Sequence, residues 1–597
     1  MPWKVPGLLA RSRRVKAMSL LGALVLVVSE QSAAGAAGPP TLSIVNNETQ
    51  PVFSYADAII ESVSVETGQD TDGDGVVDHV YVDIMRPREG ERGLKSPVLL
   101  HASPYNEGYL DPENDDEPLP PAVGAGPGFA MRIQGDPKTD QFVPRGYAVA
   151  QMQIQGTGRS TGCPDAGGPH DIAAVAAVIA WFTGSGRAFH LDGSPATAEW
   201  SNGAVGMYGH SYDGHLAVGA AHAGVPGLKA VAPTAPVTDG YAWSRSNGLT
   251  NRPHATSWLA DIVAGPVARP VCAGHVASLA AAEDAETGDR NSFWDGRDFI
   301  HDMSRFTAPV LTSWARDDMN VDSVQFDGFW KALGTKGVPR KLWVVDGPHD
   351  HQPDIWRWQD WKRTMHRWMD RWLLGLDNGI DREPAVDTQI DPQIETAPEI
   401  TATWPHPSAA PVRLHAGDMA GGSAPLTTEP SASADFHLVP NAKAGPTLKF
   451  QPAPGPPFRI FAITPPAAAV TRFSGTPTIT ATVTPSTRST PLSAYFVTYR
   501  DGVKGMKILS RGLFDLKNRN SLHRPEPLVP GEKITITWEM SALDQFVPAG
   551  QRLGLILTGD NYGLDTTPDP DAGPIDFDLT GTSITVPVVG GRPAITL

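Results

Sequence analysis

Residues 200–224, WSNGAVGMYGHSYDGHLAVGAAHAG, read as a short strand, a sharp turn and a helix of small residues. The strand-like stretch 205–208 runs into Gly209-His210-Ser211-Tyr212-Asp213-Gly214, and residues 216–223 continue as helix. A turn this tight tolerates no bulk beside it, so Gly209 and Gly214 let the backbone fold while Ser211 projects its hydroxyl. The helix N-terminus that follows faces any negative charge developing at Ser211. A serine presented in this way attacks carbonyl carbon, so the segment implies hydrolysis by acyl transfer.

A literal G-x-S-x-G occurs elsewhere, at Gly158-Arg159-Ser160-Thr161-Gly162. Cys163-Pro164 and Gly167-Gly168-Pro169 follow it and cannot continue a helix, so Ser160 reads as part of a surface loop.

A chain of 597 residues is too long for one core and implies two to four domains. Its net charge of −17 argues against nucleic acid or an anionic membrane as partner. Arg11, Arg13, Arg14 and Lys16 precede an apolar run, 17–28, and then Ser32-Ala33-Ala34-Gly35-Ala36. That run is too short to span a bilayer and reads as an export signal over 1–36, so the mature protein is expected to be secreted and free of membrane. The two cysteines, Cys163 and Cys272, are a disulfide candidate. The bridge would close a loop of ~110 residues and contribute on the order of 4 kcal/mol in the chain-entropy view; the alternative is two unpaired thiols.

Strand signals at 79–85, 97–101, 146–153, 227–233, 308–314 and 341–345 alternate with helical ones at 171–182 and 354–376, which predicts a mostly parallel sheet. Trp361, Met365, Trp368 and Trp372 share one face of the last helix and read as core packing. Segments 257–264 and 276–282 look helical in a stretch otherwise without strand character, as expected of a lid. Beyond residue 385, β-branched runs at 478–484, 494–499, 533–538, 553–558 and 583–588 predict an all-β jelly-roll sandwich. The expected organisation is an α/β-hydrolase core (37–234 and 308–380), a helical lid (235–307) and a β-sandwich (385–597). Asp70–Asp78 carries acids at alternate positions like a calcium loop, but Tyr81 stands where an EF-hand supplies glutamate, so it reads as a hairpin turn without metal. No cofactor is implied, and nothing sets an oligomeric state.

A serine nucleophile needs a base, and the base needs an acid to orient it, in the order Ser, Asp, His after successive strands. Arg316-Asp317-Asp318-Met319-Asn320-Val321 follows one strand, and Asp346-Gly347-Pro348-His349-Asp350-His351 follows the next. Periodicity does not separate Asp317 from Asp318, or His349 from His351.

The chain resembles the X-prolyl dipeptidyl aminopeptidase and cocaine esterase family of α/β-hydrolases. The resemblance rests on the Ser211 turn, Ser103-Pro104-Tyr105, Asp318-Met319-Asn320-Val321 and Gly347-Pro348-His349. It also rests on Trp368-Met369-Asp370-Arg371-Trp372-Leu373-Leu374-Gly375, on Asp377-Asn378-Gly379, and on the Asp/Gly turn before Arg86-Pro87. It extends from about residue 50 into the β-rich C-terminus. It implies Ser211 as nucleophile, Asp318 as acid and His349 as base, with an oxyanion hole from the Tyr212 N–H and the Tyr105 hydroxyl. The esterase branch resembles G-P-x-x-H here, which selects His351; the peptidase branch selects His349. No residue matches a substrate-ammonium anchor of the family; Glu107, Asp239 and Glu283 are available acids, each read as solvated. The leading expectation is an exported serine peptidase that removes Xaa-Pro dipeptides through an acyl-enzyme. An esterase or amidase on small acyl substrates, and an inert carbohydrate-binding protein, are the alternatives.

Overall fold

Apolar residues alternate along Ile59–Glu66 (β1) and His79–Arg86 (β2), and the two strands pair antiparallel with Glu66 opposite His79. The acidic stretch 67–78 is therefore the connection of a hairpin. Ser96–Ser103 (β3) and Ala148–Gln153 (β4) follow, then the short Ala188–His190 (β5) and Pro195–Ala196 (β6). Ser201–His210 (β7), Leu228–Thr234 (β8), Val310–Ala315 (β9), Arg340–Val345 (β10), Val386–Thr388 (β11) and Glu399–Thr401 (β12) complete one twelve-stranded sheet. Its order is β12-β11-β10-β9-β8-β7-β3-β4-β2-β1-β5-β6. From β4 through β3, β7, β8, β9 and β10 to β11 every pairing is parallel, and the flanking pairs are antiparallel.

The structure, a computed structural model, describes residues 38–106, 133, 136–350, 353, 357–390, 397–420, 422–431, 435–441, 450–451, 457–559 and 572–595. The expected export signal lies outside these. Residues from Pro40 onward form one unit.

Parallel strands need cover on both faces, and the residue alternation supplies two cores. Val98, Leu100, Val205, Met207 and Val231 pack with helices Pro169–Phe182 (α1) and Tyr212–His222 (α2). Leu99, Tyr208, Ala230 and Leu311 face the other way, onto Trp361, Met365 and Trp368. The strands between α2 and those tryptophans are buried almost throughout.

Between β8 and β9 the chain inserts Ala255–Val263 (α3) and Ala273–Glu283 (α4), with shorter helical turns. It also forms a two-residue ribbon, Arg245–Ser246 against Leu249–Thr250, where no strand was expected. Ser323–Lys336 (α5) follows β9, and Trp358–Leu373 (α6) follows β10. Cys163, in the loop after β4, is bonded to Cys272 at the start of α4, with Cα atoms 5.5 Å apart.

The first sheet does not stop at 385. Val386 is buried and β11 continues the parallel ladder from β10, so the change to the second sheet falls between Thr401 and Ala409. Among the described residues that second sheet has twelve strands, and it has its own core, including Leu414, Phe473, Phe496 and Ile584. Its longest strand, Ile575–Val589, pairs antiparallel with Ala409–Ala416, Asp435–Leu438 and Thr478–Pro485.

Candidate active site

β7 ends at His210 and α2 begins at Tyr212, so a single residue turns the chain. That residue is Ser211, at φ 57° and ψ −119°, a left-handed conformation that residues with side chains adopt at a cost. Packing explains the glycine two places before it: a Cβ at Gly209 would lie 2.5 Å from the carbonyl carbon of Asp213.

The loops after β9 and β10 converge on this serine. Ser211 Oγ lies 3.0 Å from His349 Nε2, and His349 Nδ1 lies 2.7 Å from Asp318 Oδ2. Asp318 Oδ1 accepts the backbone N–H groups of Asn320 (2.9 Å) and Val321 (2.8 Å). A carboxylate only accepts, so Nδ1 carries the proton and Nε2 is left to accept from the serine hydroxyl. The Asp318 side chain is fully buried, while the imidazole reaches the cavity. Asp317 points the other way, accepting from Gln545 Nε2 (2.9 Å) and Lys507 Nζ (3.0 Å) of the second sheet. Of the two adjacent acids, Asp318 is the one at the imidazole. His351 lies outside the described residues.

Tyr212 is the first residue of α2, so its N–H has no partner one turn back in the helix. Tyr105 stands edge-on to the Tyr212 ring at 6.2 Å. Both tyrosines line a cavity of about 1110 Å³ together with Ser211 and His349. The insertion roofs this cavity: Ala255, Trp258, Leu259 and Ile262 recur at the spacing of one face of α3.

Several groups around the turn carry no signal in the sequence. His210 packs beside His349, ring centres 4.5 Å apart and planes tilted by 41°. Burial first, and the His349 charge second, pull its titration down to about 4, so it is neutral beside His349 near neutral pH. Tyr212 donates its phenol O–H to Asp171 Oδ2 (2.7 Å) and accepts from Gly167 N–H (2.7 Å). Burial, reinforced by Asp165, pushes the Asp171 carboxyl up to about 7. His101 on β3 meets Asp213 at 2.9 Å. Burial opposes charge on His101, but the Asp213 carboxylate outweighs it and raises its titration above the usual value.

Other expectations need correction. Ser160 is buried, not part of an open loop: its hydroxyl donates to Gln153 O and accepts from Tyr81 N–H. Asp239 and Glu283 are buried rather than solvated. Asp239 is paired with Arg290, and Glu283 accepts the Ser257 N–H (2.5 Å). Glu107 lies outside the described residues. Among the described residues, two groups bring possible cation ligands together, Asp70/Asp72/Asp74 and Asp239/Asp298/His301. Arg290 already pairs with both carboxylates of the second, and Asp70 accepts N–H groups of its own turn.

Residues 72–351 match the X-Pro dipeptidyl-peptidase (S15 family), and residues 378–586 match its C-terminal non-catalytic domain. A putative Xaa-Pro dipeptidyl-peptidase of Streptomyces avermitilis is 34% identical, the match covering 100% of this chain and 93% of the relative. The chain belongs to the X-Pro dipeptidyl-peptidase family. A second relative of the same description, from Bacillus anthracis, is also 34% identical, over 92% of this chain and 90% of its own. Among solved structures, a CocE/NonD family hydrolase from Staphylococcus aureus superposes with a TM-score of 0.65 at 16% identity. It covers 90% of this chain and 98% of that one, and shares the fold. The family is one of serine hydrolases, and this member is an enzyme. Membership replaces the reading as an inert binding protein.

Proposed function

We propose that the protein is an exported serine dipeptidyl-peptidase that releases Xaa-Pro dipeptides from peptide N-termini through an acyl-enzyme. One observation carries the reading: the unbroken hydrogen-bonded chain Ser211–His349–Asp318 opening onto the roofed cavity. Ser211 Oγ attacks the carbonyl after proline as His349 Nε2 takes its proton, and Asp318 holds the imidazole through Nδ1–H. The negative oxygen that forms is met by the Tyr212 N–H and the Tyr105 hydroxyl; one such donor is worth ~3 kcal/mol of barrier. His349 returns the proton to the leaving amine, and water then cleaves the ester by the same steps in reverse. The roof restricts entry to short or N-terminal segments. Export is supported by the basic and apolar N-terminus and by a disulfide, which persists in oxidising compartments.

The test is a pair of substrates, an Xaa-Pro p-nitroanilide and a simple aryl ester, on wild type and Ser211→Ala. We expect turnover of the anilide, and a loss of several orders of magnitude in kcat on Ser211→Ala with binding largely kept. Ester turnover with an untouched anilide would replace the peptidase with an esterase.

A further inference from the structure

The two adjacent aspartates divide their attention between two domains, and the one that does not touch the base holds the loop that does. Asp317 donates its backbone N–H to Gly347 O (3.0 Å), two residues before His349, so it ties the acid loop to the base loop. Its carboxylate is gripped by the second sheet, through Lys507 on Lys507–Asp515 and Gln545 on Leu543–Val547. Gln545 also donates to Arg316 O (3.2 Å). A few residues on, Arg511 donates two N–H groups to Asp322 Oδ2 (3.1 and 2.7 Å), and Ser323 donates to Ala542 O (2.6 Å). From the cap, Arg252 and Trp243 both donate to Asn320 O.

We propose that Asp317 is a positioning residue of the catalytic centre, through which Lys507 and Gln545 of the C-terminal domain set both the place and the local charge of the loop bearing Asp318. The inference rests on the triad reading above. Lys507 and Asp317 are 46% and 35% exposed, and so exposed a pair adds little to folding stability. Its effect belongs in turnover.

Charge gives this role a signature that a structural strut lacks. The charged and titratable groups about this corner are Asp318, His349 and His210 in the site, with Asp350 beside the base. Around them stand the pairs Arg316–Asp346 and Arg511–Asp322, and Arg252 from the cap. In Lys507→Met the Asp317 charge is left uncompensated, which favours the protonated imidazole. In Asp317→Asn the charge of Lys507 remains and disfavours it.

The experiment measures kcat and the pH dependence of kcat/KM for Lys507→Met, Asp317→Asn and the double variant. Lys507→Arg and Ser211→Ala serve as controls, with whichever chromogenic substrate the wild type turns over. We expect the acid limb to move up in Lys507→Met and down in Asp317→Asn, each by roughly 0.3 pH unit at low salt, and to return in the double variant. All three should lose about three- to tenfold in kcat with KM little changed, and Lys507→Arg should keep both properties. Limbs that stay put or move the same way, or kcat within twofold of wild type, overturn the proposal. If Ser211→Ala retains activity, the triad reading itself fails, a separate outcome.

Discussion

Ser211 holds a backbone conformation that costs of order 1–3 kcal/mol, at the turn that joins β7 to α2. Its neighbour His210 is half-buried on the cavity wall, and its titration, lowered to about 4, has a consequence for the whole fold. Between about pH 6.5 and 4 the unfolded chain binds a proton there and the folded chain does not. The contribution of His210 is therefore complete above pH 6.5 and is lost as pH falls through 4. We expect unfolding midpoints to decline over that window, and His210→Gln to flatten the decline; a variant with the wild-type slope would refute the assignment. At this scale the strand–turn–helix around Ser211 was legible because a serine between two glycines, after a strand and before a helix, has few other uses. Periodicity alone left Asp317 and Asp318 open, since they share a loop; the family resemblance singled out Asp318, and the folded chain sends that one to the imidazole.

Among the elements, α6 shows how much a pattern discloses. Trp361, Met365 and Trp368 recur at helical spacing, and all three are buried against the sheet beside Leu99, Leu311 and Trp343. Trp368 is 0% exposed, so Trp368→Ala should destabilise the protein by about 3–5 kcal/mol in urea titration, far more than truncation of the half-buried Trp372. The parallel strands were readable for the same reason, being apolar runs buried on both faces. The ribbon at 245–250 was not, because two residues per strand are too few to show a period. Nor was the reach of the first sheet to Thr401, because β11 and β12 have three residues each and lie in a proline-rich stretch.

Across the whole molecule, the bridge between Cys163 and Cys272 joins the loop after β4 to the roof of the cavity, over a separation of 109 residues. Removing it by Cys163→Ser with Cys272→Ser should lower stability by up to about 4–5 kcal/mol, measured as a fall in Tm under non-reducing conditions. An unchanged Tm would mean that the roof is held by its other contacts, such as the buried pair of Arg297 with Asp165. The separate textures of the two halves were plain in composition. Their joint was not: Lys507 and Gln545 meet Asp317 across separations of 190 and 228 residues, and no local pattern encodes such a meeting. The strand Ile575–Val589 carries that point into synthesis, since it is made after every strand it joins. Such distant pairing is slow to form. A nascent chain therefore contains residues 211, 318 and 349 long before residues 507 and 545 exist to hold Asp317, and the second sheet is complete only once this last strand has been made.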